Sequence, residues 1–192
     1  MALTVNNGTS LNPQPLGAPA EEHIVNIPHI PQEGMLWCWA ACVQMVLAFH
    51  KIKMSQCEIV KKMLKDDDHK CGPTFESRDE SCTFMDMAPT WRDCGIKKVD
   101  PESRPLAMDE IKAEIAANRP IQVEITWHLG SGHAVLIKGW SSTSPESLLI
   151  DDPLRASPQA PVFDSSGLTT HDELLNAFGH GFWQLSWKQL EP

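Results

Sequence analysis

The chain has 192 residues, a length that suits one domain with a sizeable hydrophobic core. Its 16 Lys and Arg and 25 Asp and Glu leave a formal net charge of −9. This charge argues against nucleic acid or an anionic membrane as the main partner and permits a basic substrate. No apolar run approaches the roughly 18 residues that a membrane span needs.

The first 22 residues are rich in Asn, Pro, Ser, Thr and Ala, which predicts a disordered segment before a single domain at 23–192. They contain no Lys, Arg or long apolar stretch, so we expect synthesis in the cytoplasm without a conventional signal peptide. A frayed terminus and a delivery signal for a specialised secretion system both remain open. Residues 24–31 contain two prolines, which favour an extended segment that leads to Gln32.

Cys38 opens a mostly apolar run that predicts a helix over residues 37–49. A Cys in the first helical turn lies beside unpaired backbone N–H groups and the positive end of the helix dipole, which favour the reactive thiolate. Cys38 is therefore a candidate nucleophile, although a Cys in this position is more commonly a small buried hydrophobe. Cys42, one turn later, is interpreted as a packing residue.

The middle of the chain, up to residue 105, is predicted to be helical with long loops. A capping box formed by Ser55 and Glu58 predicts a helix to residue 64, and residues 84–94 predict a short helix broken by Pro89. Residues 66–69 are interpreted as a solvated acidic turn, and no metal site is predicted. One or two disulfides, or four reduced thiols, remain alternatives for Cys57, Cys71, Cys82 and Cys94.

Strands dominate after a helix predicted at 106–117. Residues 121–126 alternate between apolar and polar side chains, which predicts a strand with one solvated face. A second strand follows His133, and a third occupies residues 147–153. If a hairpin joins these two strands, His133 lies beside Asp151, whereas Asp152 is expected to cap the turn before Pro153.

The last part of the chain is predicted to contain two short strands and one helix. Residues 162–163 suggest a short strand, and a capping box formed by Thr170 and Glu173 begins a helix that ends at Gly179. The closing strand has an aromatic and apolar face formed by Trp183, Leu185 and Trp187.

A Cys, then a His, then an Asp provide a thiol nucleophile, its base and a carboxylate that orients the base. With these residues in place, the chain resembles the papain-like cysteine proteases. The resemblance rests on Gln32, Cys38-Trp39-Ala40, Gly132-His133-Ala134-Val135, Gly139-Trp140 and Ile150-Asp151-Asp152-Pro153. The small size, and an Asp where papain has Asn, are closer to the avirulence effector proteases of plant pathogens and the leader-cleaving peptidases of bacteriocin exporters.

The resemblance implies an α+β, papain-like fold in which an N-terminal helical lobe (23–105) packs on a C-terminal antiparallel sheet lobe (106–192). It implies a catalytic triad of Cys38, His133 and Asp151, and an oxyanion hole formed by the Cys38 backbone N–H and the Gln32 amide. Trp39 and Trp127 are candidates to line the substrate groove. We therefore expect a cysteine peptidase that acts on a protein or peptide without a cofactor.

Three other functions remain open. Cys-His-Asp triads also serve acyltransferases, deamidases and peptide-joining enzymes such as phytochelatin synthase, and the sequence does not separate hydrolysis from transfer. A binding module that has kept the fold is a second alternative, although degenerate members usually lose a triad residue and none is missing here. A metal-dependent enzyme that uses the acidic, Cys-rich middle is the third. The need for an activating partner and delivery to a host cell are also open.

Overall fold

The computed structural model describes residues 21–143, 145–154 and 167–192. In these residues, five α-helices accompany a seven-stranded antiparallel sheet, so the fold is α+β as predicted. Most of the segment predicted to be disordered (1–22) and the strand predicted at 162–163 lie outside the described residues, although Glu22 begins a strand. None of the described helices has the length and apolar character needed to cross a membrane.

Two of the helix starts follow directly from local sequence. The helices are α1 (Cys38–Phe49), α2 (Gln56–Leu64), α3 (Phe84–Asp93), α4 (Met108–Ala116) and α5 (His171–Leu175), with a 3-10 turn at Ala177–Gly179. The Ser55 hydroxyl accepts a hydrogen bond from the Glu58 N–H, and Thr170 does the same for the Glu173 N–H. Both predicted capping boxes are therefore confirmed.

α3 continues through Pro89, so the predicted break at this residue is wrong. Proline removes one helical hydrogen bond, but the Thr90 hydroxyl donates to the Asp86 carbonyl at 2.7 Å. Met87 and Trp91 on the same helix are fully buried. The apolar packing of these side chains offsets the missing bond.

The strands form one antiparallel sheet in the order β2-β7-β3-β4-β5-β6, and β1 pairs with β4. Their bounds are β1 (Glu22–Ile24), β2 (Lys98–Glu102), β3 (Ile121–Trp127), β4 (Ser131–Ser141), β5 (Ser147–Asp151), β6 (Leu168–Thr170) and β7 (Gly181–Glu191). The sequence analysis did not predict β2, which contains Pro101; a proline is tolerated there because β2 lies at the edge of the sheet.

Helices cover both faces of the sheet. One core cluster joins α1, α2 and α3 to Ala134, Leu136 and Trp187, and the other joins α4 to Val135 and Ile137. The predicted solvated face of β3 is therefore wrong, because Gln122 is paired with Leu136 and fully buried. The division into two papain-like lobes remains a prediction.

Candidate active site

Cys38 is the first residue of α1 and lines a cleft between the start of this helix and the ends of β3 and β4. Its side chain is partly exposed, whereas that of Cys42 is fully buried. No side chain caps the N-terminus of α1, which leaves the backbone N–H groups of the first turn without a side-chain acceptor. Burial raises the pKa of the Cys42 thiol, which agrees with a packing role for that residue.

The loop between α2 and α3 forms one wall of the cleft and is fastened to the start of α1. Trp37 Nε1 donates to Glu80 Oε2 at 2.7 Å, and Trp39 Nε1 donates to the Glu80 carbonyl at 3.1 Å. A Cβ at Gly34 would lie 2.5 Å from the Cβ of Arg78, so this loop approaches the turn before Cys38 too closely for any side chain there.

A disulfide ties the same loop to α2. Cys57 is bonded to Cys71, whereas Cys82 and Cys94 are free thiols. Of the two alternatives that the sequence left open, the structure contains the disulfide. Ser81 and Cys82, farther along the loop, reach the wall of the cleft.

His133 lies at the start of β4, next to a carboxylate and to the candidate nucleophile. Its Nε2 is 2.8 Å from Asp152 Oδ1, and its side chain also hydrogen-bonds with that of Cys38. Trp127 stacks beside the imidazole with 6.2 Å between ring centroids. Burial disfavours the charged imidazole, but the hydrogen bonds and negative charges of Asp152 and Cys38 outweigh it and raise the pKa of His133 to about 10.

The carboxylate beside His133 belongs to Asp152, so the predicted placement of Asp151 there is wrong. In the β4–β5 pairing, Asp151 lies opposite Leu136, three residues beyond His133. Successive side chains along an extended chain point to opposite sides, so the two neighbouring carboxylates diverge. Asp152 also performs the turn-capping role expected of it, because its Oδ1 accepts from the Leu154 N–H at 2.8 Å.

Asp151 is fully buried and binds groups outside the cleft. Its Oδ1 lies 2.5 Å from His29 Nδ1, and its Oδ2 accepts from Lys138 Nζ at 2.7 Å. His29 belongs to the extended segment that precedes Gln32, as the prolines predict. Asp151 therefore fastens this segment to the sheet.

Gln32 lines the cleft close to Cys38, and its backbone N–H donates to the Pro153 carbonyl at 3.1 Å. Its Nε2 donates to the carbonyls of Gly34 at 2.7 Å and Met35 at 3.1 Å. Its Oε1 is buried and has no hydrogen-bond partner in the described part of the chain. To serve as an oxyanion donor, Nε2 must release one of the two carbonyls, so this role remains a prediction.

The cleft has a volume of about 430 Å³ and contains Cys38, His133 and Asp152. Of the two tryptophans predicted to line the substrate groove, Trp127 is partly exposed, whereas Trp39 is only 4% exposed and contributes mainly packing. Residues that the sequence analysis did not single out complete the lining, among them Met35, Leu36 and Glu124. Among the described residues, no group of three or more His, Cys, Asp or Glu side chains is arranged to hold a metal ion.

Cysteine-type hydrolases have a thiol at the start of a helix, and the thiol is hydrogen-bonded to an imidazole that a carboxylate orients. The chain belongs to the Peptidase_C39 like family, whose model matches residues 24–166. This range contains Cys38, His133 and both carboxylates, and membership supports a cysteine peptidase at the level of the family. No curated protein matches the chain. The match does not distinguish between the two bacterial branches named above.

Proposed function

We propose that this protein is a cysteine peptidase that cleaves peptide bonds through a thioester on Cys38, with His133 as base and Asp152 as the orienting carboxylate. One observation carries the proposal: the buried His133 imidazole connects the partly exposed Cys38 thiol to the Asp152 carboxylate within an open cleft. Family membership supports the same reaction class.

The reaction begins when the Cys38 thiol transfers its proton to His133. Because Nε2 faces Asp152, the proton is accepted at Nδ1, and the imidazolium then donates one N–H to the thiolate and the other to Asp152. The high pKa of His133 favours this charged form. Asp152 holds the ring in one orientation and stabilises its positive charge, while Trp127 covers the side of the ring.

The Cys38 thiolate then attacks the carbonyl carbon of the scissile peptide bond. The backbone N–H of Cys38 and, after a small rearrangement, Nε2 of Gln32 stabilise the oxyanion that forms. His133 donates the Nδ1 proton to the leaving amine, which breaks the C–N bond and leaves a thioester. Water, deprotonated by His133, attacks the thioester and restores the thiol.

The test is to incubate the protein with a peptide library and to identify the products by mass. We expect two fragments whose masses sum to that of the peptide plus one water. We expect Cys38→Ala and His133→Ala each to lower the rate by at least about 10⁴-fold. The nucleophile and its base act together, so removal of either one disables the other. Normal cleavage by Cys38→Ala would exclude the mechanism, and loss of ammonia or transfer to another acceptor would indicate a deamidase or an acyltransferase.

The substrate, the need for an activating partner and export or delivery to a host cell remain predictions. The mass readout also addresses the first of these, because the sequences around the cleaved bonds define which peptides the cleft accepts.

A further inference from the structure

Glu124 places a carboxylate in the wall of the cleft beside the candidate catalytic residues. Its Cα lies opposite Ala134 in the β3–β4 pairing, and Ala134 directly follows His133. The side chain is mostly buried and lines the same cleft as Cys38. The alternation along β3 predicted that this residue faces water, but the start of α1 and the loop before α3 complete the cleft around it.

The side-chain hydrogen bonds of Glu124 all involve one of its two carboxylate oxygens. Oε1 accepts from Trp187 Nε1 at 2.9 Å and from Gln122 Nε2 at 3.5 Å. Both donors are neutral, and no described residue donates to Oε2. Burial raises the pKa of Glu124 because these two hydrogen bonds only partly offset the loss of hydration.

Other buried carboxylates in the described chain have a cationic partner. Glu114 accepts from Arg119 at 2.8 and 2.9 Å, and Asp151 accepts from Lys138 at 2.7 Å. No Lys or Arg is present among the described residues that line the cleft. Burying a carboxylate without a counter-ion costs free energy. A positively charged group of a ligand can therefore supply the counter-ion that Glu124 lacks.

We propose that Glu124 is a specificity-determining residue that binds the positively charged side chain of a Lys or Arg close to the scissile bond of the substrate. This proposal rests on the peptidase function proposed above. Met35, Leu36 and Trp127 provide apolar walls in the same cleft, which suit the aliphatic part of a Lys or Arg side chain. The net charge of −9 attracts such peptides to the protein from a distance.

The test uses peptides with acetylated N-termini, so that side chains alone carry positive charge. One position at a time is varied among Lys, Arg, Met, Gln and Glu, and kcat/KM is measured for the wild type and Glu124→Gln. At one position we expect the wild type to prefer Lys or Arg to Met by about 10-fold or more, the effect of one well-placed charge pair. Glu124→Gln should lose that preference, so that its own kcat/KM values for the Lys, Arg and Met peptides lie within about 3-fold of one another.

Glu22→Gln is the matched control because it removes the same charge from an exposed strand. Glu22 lies opposite Ser141, at the end of β4 far from His133. The preference of the Glu22→Gln variant for Lys and Arg should equal that of the wild type. The Gln side chain in Glu124→Gln retains an oxygen that can accept from Trp187, and thermal unfolding of each variant verifies that the fold is intact.

The outcomes separate this proposal from the peptidase proposal. If the wild type cleaves peptides without a preference for Lys or Arg, or if Glu124→Gln keeps the preference, the role of Glu124 is overturned and the peptidase function stands. If the wild type cleaves no peptide, the peptidase function fails, and the reactivity of Cys38 decides the role of Glu124.

In that case the rates of Cys38 modification by a trimethylammonium-ethyl and a sulfonatoethyl methanethiosulfonate are compared by mass mapping. If Glu124 binds cations, the rate with the trimethylammonium reagent divided by the rate with the sulfonate reagent should fall about 5-fold or more in Glu124→Gln. An unchanged ratio would overturn the proposal.

Discussion

The two adjacent carboxylates at the end of β5 lie in different surroundings, one in the cleft and one against the segment that leads into α1. Asp152 contacts His133 and the Leu154 N–H, whereas Asp151 contacts His29 and Lys138. Both are buried, and both belong to the same Asp-Asp-Pro sequence. The difference shows that strand register and side-chain alternation, rather than residue type, separate a candidate catalytic acid from a structural anchor.

The largest expected effect is a loss of activity when Asp152, the carboxylate in the cleft, is changed. Asp152→Asn should lower kcat/KM by about 10²-fold or more, because an amide oxygen can still accept from the ring but lacks the negative charge that stabilises the His133 imidazolium. Asp151→Asn is the matched control and should lower kcat/KM by less than about 10-fold, since its contacts lie outside the cleft. Both rates are measured with one library peptide. If Asp151→Asn causes the larger loss, the roles assigned here are reversed.

Asp151 should contribute mainly to the stability of the fold. Asp151→Asn should lower the free energy of unfolding by about 1–3 kcal/mol, because it leaves the ammonium of Lys138 without its buried partner. Lys138 is partly exposed, and this keeps the loss below that of a fully buried pair. Urea unfolding of the wild type and of Asp151→Asn measures the loss. A loss of less than about 0.5 kcal/mol, which is typical of a surface substitution, would contradict an anchoring role for Asp151.

The smallest expected effect is a shift in the pH profile. Protonated His133 is needed for the thiolate–imidazolium pair, so kcat/KM should fall as the pH rises through the pKa of His133, about 10. Asp152→Asn removes a negative charge that raises this pKa, so the alkaline limb should move to lower pH by about one unit. Asp151→Asn should leave the limb in place. Profiles of kcat/KM against pH measured with a neutral peptide test this expectation. If the alkaline limb of Asp152→Asn stays at the wild-type pH, Asp152 does not raise the pKa of His133.

Local sequence was sufficient for the features that depend on neighbouring residues. The start of α1 at Cys38, the capping boxes at Ser55 and Thr170, and the positions of strands β3 and β7 along the chain follow from patterns within a few residues. The order of Cys, His and Asp residues along the chain likewise indicated the family class. These features required no knowledge of how distant segments meet.

The tertiary structure decided everything that depends on contacts between distant segments. The β4–β5 register placed Asp152 rather than Asp151 on His133, and the position of β2 at the edge of the sheet allowed Pro101 in a strand. Helix packing on both faces of the sheet buried Gln122 and placed Glu124 in the cleft wall. Register and burial depend on the combined packing of segments far apart in sequence, and a local pattern of polar and apolar residues does not specify them.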